Sequence, residues 1–207
     1  MAKTYFYYSA MNAGKSTTLL QSSHNYKERG METLLFAPEF DDRFGDPAIY
    51  SRIGLKQDAI LFNKTFNISE YVAEKKQEID NLRCILIDEV HFLTKAQVAQ
   101  IITVTKELNI AALCYGLRSD FLGEPFEGSK YLLAWADELV EIKTICHCGS
   151  KATMNMRIDC KGNPVRSGSQ VQIGGNESYY SVCMRHFMQE VGTIQEHAKT
   201  GEIHVSH

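Results

Sequence analysis

Ser9-Ala10-Met11-Asn12-Ala13-Gly14-Lys15-Ser16 follows a short aromatic run, Thr4 to Tyr8, and opens a helix-like stretch from Lys15 to about Arg29, closed by Gly30. The octapeptide matches the phosphate-loop pattern G-x-x-x-x-G-K-[ST], with Ser in place of the first glycine. A loop between a strand and a helix gathers backbone N–H groups and the positive end of the helix on one spot, which is what a phosphate chain needs. In that setting Lys15 reaches the β- and γ-phosphates, and the Ser16 hydroxyl ligates Mg²⁺. Ser9, Ala10, Met11, Asn12, Ala13, Gly14, Lys15 and Ser16 are therefore the candidate nucleotide-phosphate-binding residues. The competing reading is an ordinary solvated loop, and the flanking strand and helix weigh against it.

Downstream, Cys84-Ile85-Leu86-Ile87-Asp88-Glu89 has the form of a buried strand that ends in carboxylates. A carboxylate in the Mg²⁺ shell has to lie near the phosphate loop, and the C-terminal edge of a parallel sheet is where the two meet. Asp88 is then the metal-side carboxylate, and Glu89 is the candidate general base for the proton of an attacking hydroxyl or water. Around these two signals strand-like and helix-like segments alternate. Glu32 to Phe36 reads as a strand ended at Pro38, and Ser69 to about Asn81 as a helix. Thr94 to Asn109 reads as a helix capped by Thr94, and Ile110 to Tyr115 as a strand. Alternation of this kind specifies an α/β domain with a parallel sheet covered by helices.

The chain of 207 residues is 44% hydrophobic and 23% charged, which excludes disordered and collagenous classes. Its longest apolar runs are far below the roughly 20 residues that cross a bilayer, and the N-terminus carries no visible secretory signal, so no membrane partner and a cytoplasmic location are expected. The net charge is -3 but unevenly placed: residues 1–142 hold 15 Lys/Arg against 20 Asp/Glu, whereas residues 143–186 hold 6 against 2. The character of the chain also changes near residue 142. Cysteine pairs, two Gly-containing turns and short strand-like runs replace the long alternation. The expected organisation is 1–142 as an ATP-binding domain, 143–190 as a small metal-stapled β unit and 191–207, with His197, His204 and His207, as a mobile tail.

Six cysteines are too few for a disulfide scaffold. Cys146-His147-Cys148 and Cys183-Met184-Arg185-His186 instead form two close ligand pairs, and Zn²⁺ takes four such ligands in a tetrahedron. The natural set is Cys146, Cys148, Cys183 and His186, with His147 as an alternative to one of them. Four protein ligands fill the coordination sphere, so the site is structural. Cys84 and Cys114 sit in apolar runs and read as buried small hydrophobes, and Cys160 has no assigned role.

These motifs occur in a fixed order with Tyr115-Gly116-Leu117-Arg118-Ser119-Asp120-Phe121 and Ile173-Gly174-Gly175-Asn176-Glu177-x-Tyr179 running into Cys183-x-x-His186. In that order the chain resembles the zinc-containing bacterial thymidine kinases up to about residue 190. The resemblance implies a RecA-like P-loop domain plus a zinc-ribbon-like unit with a lasso loop, assembled as a homotetramer. It also implies transfer of the ATP γ-phosphate to the 5'-hydroxyl of thymidine, with deoxyuridine as a further substrate and dTTP as a feedback inhibitor. By the same resemblance Asp88, Glu89, Val90 and His91 form a second nucleotide segment, with Glu89 as the base. Phe121 packs on thymine, and Gln170, Val171, Gln172, Ile173, Gly174 and Tyr179 belong to the lasso. Ser9 departs from the family's common glycine, and Ile53 stands where many relatives are acidic. Arg52 beside it reads equally as a phosphate contact and as a surface residue.

Asp88-Glu89-Val90-His91 also spells a DExH box, so a nucleic-acid-dependent ATPase is the alternative. Such motors need a second RecA-like domain, and the 65 residues after 142 cannot hold one. Three thiolates with Zn²⁺ would also trim the basic excess of the second unit to about +3, which suits a nucleotide as well as a polymer, so no nucleic-acid partner is expected. A non-enzymatic zinc adaptor is the third reading. It leaves Lys15 and Glu89 without a task.

Overall fold

Leu82–Ile87 is apolar on both sides because it runs through the middle of a sheet covered on both faces: Cys84 and Leu86 pack to one side, Ile85 and Ile87 to the other. The computed structural model describes residues 1–39, 47–170 and 179–191. In chain order the first elements are β1 (Thr4–Ser9), α1 (Lys15–Lys27), β2 (Glu32–Pro38), β3 (Ala48–Tyr50), β4 (Lys56–Asp58), β5 (Ile60–Phe62) and α2 (Ile68–Glu78). There follow β6 (Leu82–Ile87), a 3₁₀ turn (Val90–Phe92), α3 (Lys95–Glu107), β7 (Ala111–Leu117), α4 (Glu127–Trp135) and β8 (Glu138–Glu141). The expected residues Val171, Gln172, Ile173 and Gly174, and the tail from residue 192, lie outside the described residues.

The six-stranded sheet has the order β5-β2-β6-β7-β1-β8, and every pairing in it is parallel. This is the α/β architecture expected from the alternation. Helix α1 covers one face through Leu19 and Leu20, against Leu35, Leu86, Leu113 and Tyr115. Helices α2, α3 and α4 cover the other through Ile68, Val72, Val98, Ile101 and Leu132. Helix α3 starts where expected. Thr94 accepts from the Gln97 N–H, and the Gln97 side chain returns to the Thr94 N–H, a capping box that satisfies two otherwise unpaired donors.

Other boundaries differ from the expectation for local reasons. Helix α2 begins at Ile68 rather than Ser69 because Asn67 is its cap, accepting from Glu70 N–H at 3.2 Å, and it ends at Glu78. Strands β3, β4 and β5 hold three residues each, too few for alternation to register. No helix among the described residues is long and apolar enough to cross a membrane.

After β8 come β9 (Thr144–Ile145), β10 (Lys151–Ala152), β11 (Met154–Arg157), β12 (Tyr179–Val182) and α5 (Met184–Val191). The strands pair antiparallel as β9 with β10 and β11 with β12. Cys146, Ala152, Met154, Val182, Cys183 and Phe187 form a separate small core. The helix α5 was not expected. It supplies Phe187 to that core and carries His186.

Candidate active site

Strands β1, β6 and β7 run parallel, so the loops that leave their C-terminal ends meet at one edge of the sheet. The first of these loops is Ser9 to Ser16. Gly14 adopts a left-handed backbone, φ 82°, and caps α1 with no side chain over its first N–H groups and no acidic residue in its first turn. The exposed N-terminal dipole is therefore available to an anion. Asn12 is also left-handed at φ 59°, which asparagine tolerates. Ser9 is not left-handed. Its buried hydroxyl donates to the Ala10 carbonyl at 2.7 Å, so Ser replaces the customary glycine without backbone strain.

From the end of β6, the Asp88 carboxylate reaches this loop. Its Oδ2 accepts from the Ser16 hydroxyl at 2.9 Å, and its Oδ1 accepts from the Glu89 N–H at 2.9 Å. Glu89 is held in a left-handed conformation, φ 50°, which costs about 1–2 kcal/mol for a side chain of this kind. Strain of that sort persists only where the surrounding structure holds the residue in place. The 3₁₀ turn then places His91 beneath it. The imidazole is buried between Phe92 and Phe126, with ring centroids at 4.0 and 4.6 Å.

Burial pushes the His91 pKa well below its ordinary value, and the Lys15 charge lowers it further. The ring is therefore neutral near pH 7, and its Nδ1 accepts from the Leu117 N–H at 3.3 Å. Nδ1 also lies 3.4 Å from Glu89 Oε2. With the ring neutral and Nδ1 already an acceptor, that approach is a contact and not an ion pair.

The loop after β7 carries Asp120 and Phe121. Burial raises the Asp120 pKa, against hydrogen bonds from Leu122 N–H, the Gln170 amide, and the Glu124 and Gly123 N–H groups. Gln170 Nε2 meets Asp120 Oδ2 at 3.0 Å, so the start of the expected lasso is tied to this loop. Phe121 is fully buried, and the Arg157 guanidinium lies over its ring at 3.7 Å. Arg157 also donates to the carbonyls of Ser169 and Ser167, at 3.0 and 3.3 Å. Tyr179 pairs with Arg157 across β11 and β12.

The ligand atoms of Cys146, Cys148, Cys183 and His186 all lie within 4.8 Å of one another. The Cys148 and Cys183 sulfurs are 3.9 Å apart, and His186 Nδ1 is 3.3 Å from Cys146 Sγ and 3.4 Å from Cys183 Sγ. A tetrahedron with metal–sulfur bonds of about 2.3 Å has edges near these separations, so the four residues fit Zn²⁺. His147 stands outside this set and stacks on the His186 ring at 4.2 Å.

The thymidine kinase family model matches residues 2–187. The chain belongs to the thymidine kinase family. It is 60% identical over 187 residues to the thymidine kinase of Coxiella burnetii, covering 90% of this chain and 95% of that one. It is 60% identical over 192 residues to that of Aliivibrio fischeri, covering 93% and 100%. The thymidine kinase of Yersinia pseudotuberculosis is 59% identical over 191 residues, covering 92% and 97%.

For this member of the thymidine kinase family the structure adds residues that the sequence motifs did not mark. Asn155, Arg157 and Ser181 all touch the loops of the candidate site. A signal existed for two of them. Asn155 and Arg157 stand two apart in β11 and so share one face, opposite Met154 and Met156. The same alternation also marks an ordinary strand with one solvated face, and the burial of Asn155 and Arg157 is what the structure adds.

Proposed function

We propose that this chain transfers the γ-phosphate of ATP to the 5'-hydroxyl of thymidine, giving ADP and dTMP for nucleotide salvage, with deoxyuridine as a further substrate. The observation that carries the reading is the meeting of Ser16, Asp88 and Glu89 at one sheet edge in a chain of the thymidine kinase family. Residues 1–142 form the ATP-binding unit and residues 143–190 the zinc unit in this reading. Cys146, Cys148, Cys183 and His186 hold a structural Zn²⁺.

The chemistry assigned to the residues follows from their placement. N–H groups of the phosphate loop and the start of α1 cradle the phosphates, and the Lys15 ammonium offsets charge on the group in transfer. Ser16 Oγ and the Asp88 carboxylate are adjacent oxygen donors, the type a hard divalent cation takes, and so fit Mg²⁺. When bound, Mg²⁺ neutralises charge on the β- and γ-phosphate oxygens. Glu89 accepts the 5'-hydroxyl proton as that oxygen attacks phosphorus, its direction set by the left-handed backbone that follows β6. Asp88, Val90 and His91 complete the second nucleotide segment. Phe121, Tyr179 and the lasso Gln170 to Gly174 bind the nucleoside. Thymine and cytosine differ in donor and acceptor at two ring positions, and a buried mismatch rejects the wrong base.

The assembly expected for the chain is a homotetramer, the inhibitor dTTP and the location cytoplasmic. Light scattering and a dTTP titration test the first two. The deciding experiment for the reaction is ATP-dependent phosphorylation of thymidine, deoxyuridine and deoxycytidine, with single-stranded DNA as a control. Phosphorylation of thymidine and deoxyuridine is expected. ATP hydrolysis stimulated by DNA, without nucleoside phosphorylation, overturns the proposal in favour of a DExH-type ATPase.

A further inference from the structure

Met11, in the middle of the phosphate loop, has both of its backbone polar groups held by side chains from the β11–β12 hairpin. Its N–H donates to Asn155 Oδ1 at 2.8 Å, and its carbonyl accepts from the Ser181 hydroxyl. Asn155 and Ser181 are register partners across the hairpin, so the two grips come from one point of one small sheet. The other end of the Asn155 amide donates to the Ser119 carbonyl at 2.8 Å, in the loop that carries Asp120 and Phe121. Asn155 is 2% exposed. The two contacts fix the orientation of its amide, because a flipped group would set N–H against N–H and oxygen against oxygen.

Packing alone would not call for this residue. A leucine of similar volume would fill the same space, but it would leave the part-buried Met11 N–H and the buried Ser119 carbonyl without their partner. The engagement of the Met11 N–H also assigns the loop's remaining donors. That N–H is spent on Asn155, so the loop's phosphate contacts come from Asn12 onward, where the left-handed Asn12 and Gly14 turn the chain into α1. The same hairpin leads within two residues to Cys183, and its Met154 and Val182 share a core with Cys146. The metal-ligating unit and the phosphate loop are thus joined through two side chains.

We propose that Asn155 is a positioning residue for ATP: with Ser181 it holds the phosphate loop at Met11, and it locks that loop to the Ser119–Phe121 loop. The proposal rests on the phosphate-loop reading above and not on the identity of the phosphate acceptor. Its test is calorimetric titration of MgATP, without thymidine, into the full-length protein, Asn155→Leu, Ser181→Ala and the double variant. Melting temperature and zinc content per chain are recorded alongside. The expected result is a Kd for MgATP raised by about 10-fold or more in Asn155→Leu and by a few-fold in Ser181→Ala, at unchanged zinc content. The double variant is expected to lose less than the product of the two, because both side chains hold one residue. A Kd within twofold of the parent in both single variants overturns the proposal, as does a Kd that rises only in step with lost zinc. Should Asn155→Leu fail to fold, Ser181→Ala removes one hydroxyl from a half-buried strand position and decides alone. A parent protein that binds MgATP yet leaves thymidine unmodified would refute the proposed reaction and leave this inference standing.

Discussion

The Ser16 hydroxyl donates to Asp88 Oδ2 at 2.9 Å across 72 residues of sequence, and this single bond fastens the start of α1 to the end of β6. The pairing fixes where the site's carboxylate stands. Asp88 is only 5% exposed, and its two oxygens take the Ser16 hydroxyl and the Glu89 N–H, so the carboxylate is held in place before any substrate arrives.

Ser16→Ala removes one donor from Asp88 and one oxygen from the cation's neighbourhood while leaving the α1 backbone intact. The kcat/KM for ATP is expected to fall by about 10- to 100-fold, the loss usual for a disturbed metal-site hydrogen bond. The Mg²⁺ concentration for half-maximal activity is expected to rise with it. A Mg²⁺ titration at fixed ATP reads both, and an unchanged Mg²⁺ dependence would remove Ser16 from the cation site.

Glu89→Gln keeps the size of the side chain and its contact with His91 but cannot take a proton. The expected outcome is a kcat lower by about 10² to 10⁴, with KM for ATP and thymidine within a few-fold of the parent. Steady-state kinetics in both substrates test this. Full kcat in the variant excludes Glu89 as the base.

Much of this site was legible in the sequence because its chemistry is carried by residues close together in the chain. Gly14-Lys15-Ser16, Asp88-Glu89 and the two cysteine pairs each form a local pattern, and the parallel sheet follows from alternation long enough to read. Asn155 and Arg157 left only the period-two pattern of β11 and Ser181 left none, because their partners lie between 10 and 170 residues away and nothing local names those partners. The helix α5 was obscured by its own function. Cys183-x-x-His186 reads as a ligand pair, and the helical turn that brings His186 back to Cys183 is the geometry such spacing needs. The short strands β3 to β5 lack the length that periodicity requires.

His91 makes the fold sensitive to acid. Its pKa in the folded protein lies well below 6.5 because it is buried, with the Lys15 charge adding to the effect, whereas the unfolded chain takes up a proton near 6.5. Above that pH the ring is neutral in both states and costs nothing. As the pH falls below 6.5 the unfolded state binds a proton that the folded state refuses, so stability declines by up to about 1.4 kcal/mol per pH unit. Urea unfolding at pH 7.5, 6.5 and 5.5 is expected to show this slope, and His91→Gln is expected to flatten it. Parallel pH profiles in the two proteins would refute the assignment.

Removal of zinc is expected to unfold the small unit first. A structural Zn²⁺ site supplies about 10–16 kcal/mol of apparent binding energy, and the core around Cys146, Met154, Val182 and Phe187 holds few side chains. Chelation should raise amide exchange throughout residues 143–190 while β6 and β7 stay protected. Unchanged exchange after verified zinc loss would show that this core folds without the metal.

Gly128 is the point where α4 presses on the turn that carries the base. A Cβ there would stand 2.1 Å from the Val90 carbonyl oxygen, a distance no backbone atom tolerates, and a tight 3.0 Å from that of Leu93. Val90 and Leu93 flank His91, and Glu89 precedes them, so Gly128→Ala must push either α4 or the 3₁₀ turn aside. Ser129 resists the first movement, because its hydroxyl holds the Leu117 carbonyl at 2.5 Å. The turn is therefore the part that yields. The variant is expected to lose about 1–3 kcal/mol of stability through overpacking, and kcat is expected to fall as Glu89 and His91 shift. Lys130→Ala, at an exposed position of the same helix, is expected to stay within about 0.5 kcal/mol of the parent with kcat unchanged. Thermal unfolding and kinetics on the two variants decide the matter. A Gly128→Ala protein that melts and turns over like the parent would show that the contact between α4 and the turn does not set the position of Glu89.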